Sequence, residues 1–85
     1  MDQLSAMRTF LSVAETGSFT RAAEALGLSR AMVSTQVAAL EKHFGVRLLN
    51  RTTRKVALTG VGAGYLEHCR RVFADLKAAE DDLRG

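Results

Sequence analysis

The strongest structural signal in the sequence lies in residues 17–45, which read GSFTRAAEALGLSRAMVSTQVAALEKHFG. Two segments of this run begin with a serine, which is a preferred N-cap residue, and end with a glycine, which suits the left-handed turn after a helix. The run therefore predicts one short helix over residues 18–26 and a second helix over residues 29–44. A tight turn at Gly27 joins them.

The second predicted helix has two faces of different character. At about 100° per residue, its larger apolar side chains fall on one face and predict the side that packs on the core. The opposite face carries small side chains, which let a helix backbone approach the edges of DNA bases. Two short helices joined in this way form the helix-turn-helix arrangement, whose second helix lies in the major groove. The inner residues are Val33, Val37, Leu40 and Phe44; the outer residues are Ala31, Ser34, Thr35 and Ala38, bracketed by Arg30 and Lys42.

The flanking segments complete a small, mostly α-helical domain. Residues 2–16 carry apolar side chains at helical spacing and predict a first helix. After residue 45 the period changes, and residues 46–49 and 56–58 are short and strand-like. The segment between them, residues 50–55, reads NRTTRK. The sequence therefore predicts a small hairpin with a basic tip.

A long last helix is predicted to begin at Thr59. With about 25 residues it would be about 38 Å long, against a radius of gyration of about 12 Å for a chain of this length. Such a helix is too long to be covered by its own domain, so we expect its apolar stripe to be exposed in a monomer and covered by a second copy. The predicted dimer interface consists of Leu66, Cys69, Phe73, Leu76 and Leu83.

Length, composition and charge limit the function further. A chain of 85 residues makes one small domain, which excludes a two-domain enzyme. The sequence has a single cysteine and no long apolar run, so a disulfide framework and a membrane-spanning segment are excluded and the cytoplasm is the expected location. The net charge of +3 is unevenly spread, because residues 29–58 have a net charge of +5 and the segments on either side have −1 each. The basic middle third predicts a polyanionic partner.

Several short motifs occur in fixed order: FLSVAE at 10–15, GSFTRAAEAL at 17–26, VAALE at 37–41, FGVRLLNR at 44–51, and LT at 58–59 followed by Gly62. Together these motifs resemble the DNA-binding domain of LysR-type transcriptional regulators. The resemblance covers about residues 4–84. It implies a winged helix-turn-helix domain over residues 1–58, with three helices and a two-stranded wing, followed by a linker helix over residues 59–85 that forms a homodimer. It also implies that the whole protein carries a larger C-terminal domain, absent from this segment, which binds a small-molecule inducer and assembles tetramers.

The sequence departs from the family pattern at several positions. Arg30 stands where glutamine is usual, and it can read a guanine, grip a phosphate or point aside. Thr35 and Ala38 stand where basic residues are frequent, so we expect fewer base contacts than is typical. Gly60 replaces a frequent glutamate and weakens the start of the last helix.

The expected DNA contacts lie on the second helix of the motif and on the wing. The helix is expected to enter the major groove, and the basic wing to contact phosphates or the minor groove, with Arg54 as our choice for the minor groove. A solvated hairpin tip is the alternative interpretation of the wing charges. A symmetric dimer would require an operator that is an interrupted inverted repeat. The expected contact residues are Ser29, Arg30, Ala31, Met32, Ser34, Thr35, Ala38, Lys42, Arg51, Thr52, Arg54 and Lys55.

The sequence predicts no catalytic site, no metal and no cofactor. His43 and His68 have no partner at metal-ligand spacing, and the glycines at 60–64 lack the strand-to-helix pattern of a phosphate-binding loop. Cys69 is interpreted as a small buried hydrophobic residue rather than a redox sensor, because no cationic cluster activates its thiol. The competing function is a helical protein-interaction module whose basic hairpin binds an acidic partner.

Overall fold

Every helix of the domain begins at a residue whose side chain caps it. In the computed structural model, which describes residues 1–52 and 55–85, Asp2, Ser18, Ser29 and Thr59 each accept a hydrogen bond from the backbone N–H three residues later. These caps start four helices, and a two-stranded antiparallel sheet lies between the third and the fourth. The elements are α1 (Gln3–Thr16), α2 (Phe19–Leu26), α3 (Arg30–Phe44), β1 (Leu49–Arg51), β2 (Val56–Leu58) and α4 (Gly60–Arg84).

Glycines end both helices of the predicted motif. Gly27 and Gly45 follow α2 and α3 in the left-handed conformation, with φ of 67° and 66°. The next N–H closes each end, since that of Leu28 donates to the carbonyl of Ala23 at 3.0 Å and that of Val46 to the carbonyl of Glu41 at 3.2 Å. The predicted helix, turn and helix are thus confirmed.

The core lies where α1, α2 and α3 meet. Phe10 and Val13 of α1 and Val33, Val37 and Leu40 of α3 are fully buried there. Among the described residues, Thr9 is the one polar residue that is buried as a whole, and its hydroxyl donates to the side-chain oxygen of Gln36.

Strands β1 and β2 form the wing, in a register that pairs Leu49 with Leu58 and Arg51 with Val56. The prediction that the first strand begins at residue 46 was wrong. The N–H groups of Leu48 and Leu49 donate instead to the carboxylate of Glu41, at 2.8 and 3.2 Å, so strand pairing begins only at residue 49.

Helix α4 packs on α1 with its first half and extends beyond the domain with its second half. Leu66 and Cys69, expected on the dimer interface, are 5% and 0% exposed and belong to the core of their own chain. The expectation that they are exposed in a monomer was wrong, because α1 and the wing cover this part of the stripe. Phe73 is half-buried beneath the guanidinium of Arg8, which lies 4.5 Å from the centre of its ring.

Two apolar residues of the same stripe are exposed farther along α4. Leu76 is 41% exposed and Leu83 is 89% exposed. Phe44, expected on the inner face of α3, is also 41% exposed. It lies at the end of that helix, where its ring packs edge-on against Tyr65 with centroids 5.4 Å apart.

Candidate nucleic-acid interface

Helix α3 presents a row of accessible, mostly small side chains on the side away from the core. Ala31, Thr35 and Ala38 are exposed and Ser34 is half-buried, while the fully buried valines lie on the opposite side. Met32 is 50% exposed, and adds an apolar side chain to the first turn. An α-helix with this outer surface fits a major groove about 12 Å wide.

The N-terminus of α3 is open to a ligand. Ser29 and Arg30 are exposed, and the hydroxyl of Ser29 accepts the N–H of Met32 at 3.1 Å. This confirms the capping role of Ser29. The remaining N–H groups of the first turn and the helix dipole favour an anion such as a phosphate at this end.

The wing lies beside α3, and hydrogen bonds between Thr52 and Lys55 close the hairpin. The N–H of Thr52 donates to the carbonyl of Lys55 at 3.1 Å, and the N–H of Lys55 donates to the hydroxyl of Thr52 at 3.0 Å. Both residues are exposed, as expected for wing contacts. Arg54, our choice for the minor groove, lies outside the described residues.

Arg51 joins the wing to both helices of the motif. Its guanidinium donates to the hydroxyl of Ser34 at 3.2 Å and lies 4.7 Å from the centre of the Phe19 ring. The sequence predicts Arg51 and Ser34 as separate residues of the expected DNA-binding surface, but it does not predict that they contact each other.

Two open hollows, each of about 390 Å³, separate the wing from the helices. One lies between the wing and the start of α3, and the other reaches the start of α2. Among the described residues that line them, four are cationic and none is acidic. The cationic residues are Arg21, Arg30, Arg51 and Lys55. Arg21 is not among the predicted contact residues. It is an isolated cation in residues 1–28, whose net charge is −1, so the sequence does not mark it as part of a basic surface.

Lys42 lies at the far end of the same helix. It is exposed in the last turn of α3, where a cation also complements the helix dipole. The structure thus places the accessible face of α3 beside the described part of the wing, where the expected contact residues lie, with Lys42 at the far end of the helix.

The contacts that hold the wing in place are not predicted by the sequence, although Thr59 is predicted as the start of α4. Glu41 is part of the VAALE motif at 37–41, and its carboxylate accepts two backbone N–H groups at the base of the wing. Thr59 caps α4 and also donates its hydroxyl to the carbonyl of Arg47 at 2.6 Å. A single polar residue near the end of a helix gives no pattern that predicts such contacts.

In the described part of the chain, the geometry supports no metal site, no membrane-spanning helix and no reactive cysteine. No group of three or more His, Cys, Asp or Glu side chains is placed to hold a metal ion in residues 1–52 and 55–85. In the same residues, no helix has the length and apolarity needed to cross a membrane. Cys69 is a free, fully buried cysteine, and burial raises the pKa of its thiol.

Comparison with known proteins agrees with this geometry. Residues 4–63 match the family of bacterial regulatory helix-turn-helix proteins of the lysR type. An HTH-type transcriptional repressor of Pseudomonas aeruginosa is 54% identical over 85 residues, which are 100% of this chain and 27% of the repressor. The chain spans about a quarter of the length of the curated relatives it matches, and those relatives are named as transcriptional regulators rather than enzymes.

Solved structures of similar fold include complexes with DNA. The BenM_DBD/catB site 1 DNA complex superposes with a TM-score of 0.91 at 28% identity, covering 95% of this chain and 90% of that chain. The CbnR_DBD-DNA complex superposes with a TM-score of 0.88 at 34% identity, covering 95% of this chain and 93% of that chain. The expected winged helix-turn-helix fold is therefore confirmed, and the chain belongs to the lysR family of bacterial regulatory helix-turn-helix proteins.

Proposed function

We propose that this chain is the sequence-specific, double-stranded DNA-binding part of a dimeric bacterial transcription regulator. Helix α3 enters the major groove with its small outer side chains, and the basic wing contacts the flanking phosphates or the minor groove. Most of the affinity then comes from cations on phosphates, and the base contacts of α3 supply the specificity.

One observation carries this proposal. The accessible face of α3 and the wing lie side by side, and the hollows between them are lined by four cationic residues and no acidic one in the described part of the chain. A module that only binds an acidic protein would have no need of a row of small side chains on the exposed face of the adjoining helix.

Dimerisation through the outer half of α4 completes the proposal. Phe73, Leu76 and Leu83 are the part of the predicted interface that the chain itself leaves accessible. A two-fold axis at this helix would present two copies of α3 to an interrupted inverted repeat, with half-sites spaced by about one helical turn of DNA or a multiple of it. In the whole protein, which we place in the cytoplasm, a further C-terminal domain would bind the inducer and support tetramers.

Selection of bound sequences from a random duplex pool, repeated at two salt concentrations, tests the proposal. Enrichment of an interrupted inverted repeat at both concentrations is the expected result. Non-specific binding that disappears at the higher salt concentration would mean that the domain contacts only the DNA backbone. An absence of binding would favour the protein-interaction alternative.

Two variants that add the same charge sharpen the test. Ser34→Glu places a carboxylate on the outer face of α3 and should abolish enrichment, because the added charge faces the DNA acceptors and phosphates. Ala78→Glu adds the same group on the exposed surface of α4 and should leave enrichment intact. Circular dichroism should show that both variants keep the fold.

A further inference from the structure

Arg51 is the residue at which three elements of the proposed DNA-binding surface meet. It is the last residue of β1, and its side chain reaches the hydroxyl of Ser34 on α3 at 3.2 Å and the ring of Phe19 at the start of α2. Phe19 is 7% exposed and belongs to the core, so the guanidinium rests on a fixed support.

The outer part of the wing has few other polar contacts with the helices, and its apolar contact with the core is that of the half-buried Val56. Each strand has three residues, and a two-stranded hairpin of this kind is marginally stable by itself. Glu41 and Thr59 anchor the base of the wing. Between residues 50 and 57, the bond from Arg51 to Ser34 is the one hydrogen bond to a helix among the described residues.

We infer that Arg51 is a positioning residue for DNA recognition, which holds the wing at a fixed distance from α3 and holds the Ser34 hydroxyl in one orientation. The inference rests on the proposed DNA-binding function. The planar guanidinium can stack on Phe19 with its face while an edge N–H donates to Ser34, and a lysine ammonium cannot do both. Because Ser34 accepts from Arg51, its own O–H is left to donate to an acceptor on the DNA.

The competing role is that of a simple phosphate contact, and the two roles predict different behaviour of Arg51→Lys. A phosphate contact needs only the positive charge, so the lysine variant would keep its affinity. A positioning residue needs the planar guanidinium, so Arg51→Lys would bind the selected duplex about tenfold more weakly although the net charge is unchanged.

The experiment measures binding of wild type, Arg51→Lys, Arg51→Ala, Ser34→Ala and the Arg51→Ala/Ser34→Ala double variant to the duplex selected by the wild type. We expect the losses of the two single alanine variants to be non-additive in the double variant, as for residues that act together. Footprinting should show that Arg51→Lys loses protection of the DNA next to the wing and keeps protection where α3 binds. Arg71→Lys on α4 is the matched control, with wild-type affinity expected.

A second measurement needs no DNA. Amide hydrogen exchange of the free protein should be faster in Arg51→Lys at wing residues 50–52 and 55–57, and unchanged in α1. Wild-type affinity of Arg51→Lys, additive alanine effects or unchanged wing exchange would overturn the positioning role. Failure of the wild type to select any duplex would instead overturn the proposed function, while the exchange experiment would still test the link between wing and helix.

Discussion

Gly62 marks a close approach between α4 and the backbone of Leu48. A Cβ atom at this position would lie 2.0 Å from the carbonyl oxygen of Leu48 and 2.9 Å from its carbonyl carbon. Both atoms belong to the backbone and cannot rotate away. The glycine is therefore required by space, at the point where Thr59 ties the start of α4 to the same carbonyl through its N–H at 3.0 Å.

Substitution of Gly62 should separate this steric requirement from the general effect of glycine in a helix. Gly62→Ala is expected to lower the free energy of unfolding by about 1–3 kcal/mol or more, because the segment at Leu48 must shift. Gly64→Ala is the matched control: its Cβ would meet nothing within 4 Å, and it should raise the free energy of unfolding by about 0.5–1 kcal/mol. Urea denaturation followed by circular dichroism measures both, and equal effects of the two substitutions would contradict the close approach.

Tyr65 is the one tyrosine of the chain, and it packs between two phenylalanines. Its ring lies 5.6 Å from that of Phe10 and 5.4 Å from that of Phe44. Its hydroxyl is buried without a hydrogen-bond partner among the described residues. Burial, with the thiol of Cys69 beside it, raises the pKa of Tyr65 from 10.0 to about 12.

The raised pKa predicts that alkaline pH destabilises the fold. Between pH 10.0 and about 12 the unfolded chain loses the Tyr65 proton while the folded chain keeps it, so the free energy of unfolding falls as pH rises. The ultraviolet absorbance of tyrosinate should show a midpoint well above that of the denatured chain. The decline in stability over this range should be smaller in Tyr65→Phe. A native midpoint near 10.0 would contradict the burial of the hydroxyl.

At the scale of elements, the wing depends on the end of α3. Glu41 lies in the last turns of that helix, and its carboxylate accepts the N–H groups of Leu48 and Leu49 before β1 begins. The same residue accepts the N–H of Val46 with its carbonyl. Glu41 thus closes the end of α3 with its carbonyl and fixes the path of the chain into the wing with its carboxylate.

Loss of the Glu41 carboxylate should therefore loosen the wing. We expect Glu41→Ala to lower the free energy of unfolding by about 1–3 kcal/mol, because two N–H groups in a partly buried site lose a charged acceptor. Glu24→Ala removes an exposed carboxylate from α2 and should change the free energy of unfolding by less than about 0.5 kcal/mol. Thermal unfolding measures the difference. A Glu41→Ala protein as stable as Glu24→Ala would show that these hydrogen bonds contribute nothing.

At the scale of the whole molecule, α4 accounts for the elongated shape. The domain measures 47 Å along its longest axis and 22 Å along its shortest. All residues from 74 to 85 are exposed, and this part of the helix carries two leucines on the line that continues the buried stripe. A second copy that packs on this line would cover them and join two DNA-binding surfaces.

Replacing these two leucines with glutamate should dissociate the proposed dimer without unfolding the monomer. Leu76→Glu/Leu83→Glu is expected to sediment as a monomer at concentrations where the wild type is a dimer, because each glutamate would have to be buried in the interface. Ala78 lies on the opposite side of α4, so Ala78→Glu should leave the dimer intact. A monomeric wild type at high concentration, with α4 still helical, would contradict the proposed interface.

The local features of this domain follow from its sequence. Ser18, Gly27 and Ser29 set the ends of the helices of the motif, and the spacing of Val33, Val37 and Leu40 sets the face of α3 that is buried. Caps, glycine turns and helical periodicity act over a few residues, so the chain carries this information locally. Ser18, Val37 and Leu40 also belong to the motifs that carry the family resemblance, and for this reason the fold could be predicted.

The tertiary structure alone decided which of these elements cover one another. The sequence gives α4 one apolar stripe, interrupted only by Glu80, yet α1 and the wing bury Leu66 and Cys69, whereas Leu76 and Leu83 stay exposed. The contacts of Arg51 with Ser34 and Phe19 join residues far apart in sequence. Such contacts depend on how the helices cross and where each side chain points in space, and a periodic pattern along one chain does not contain either quantity.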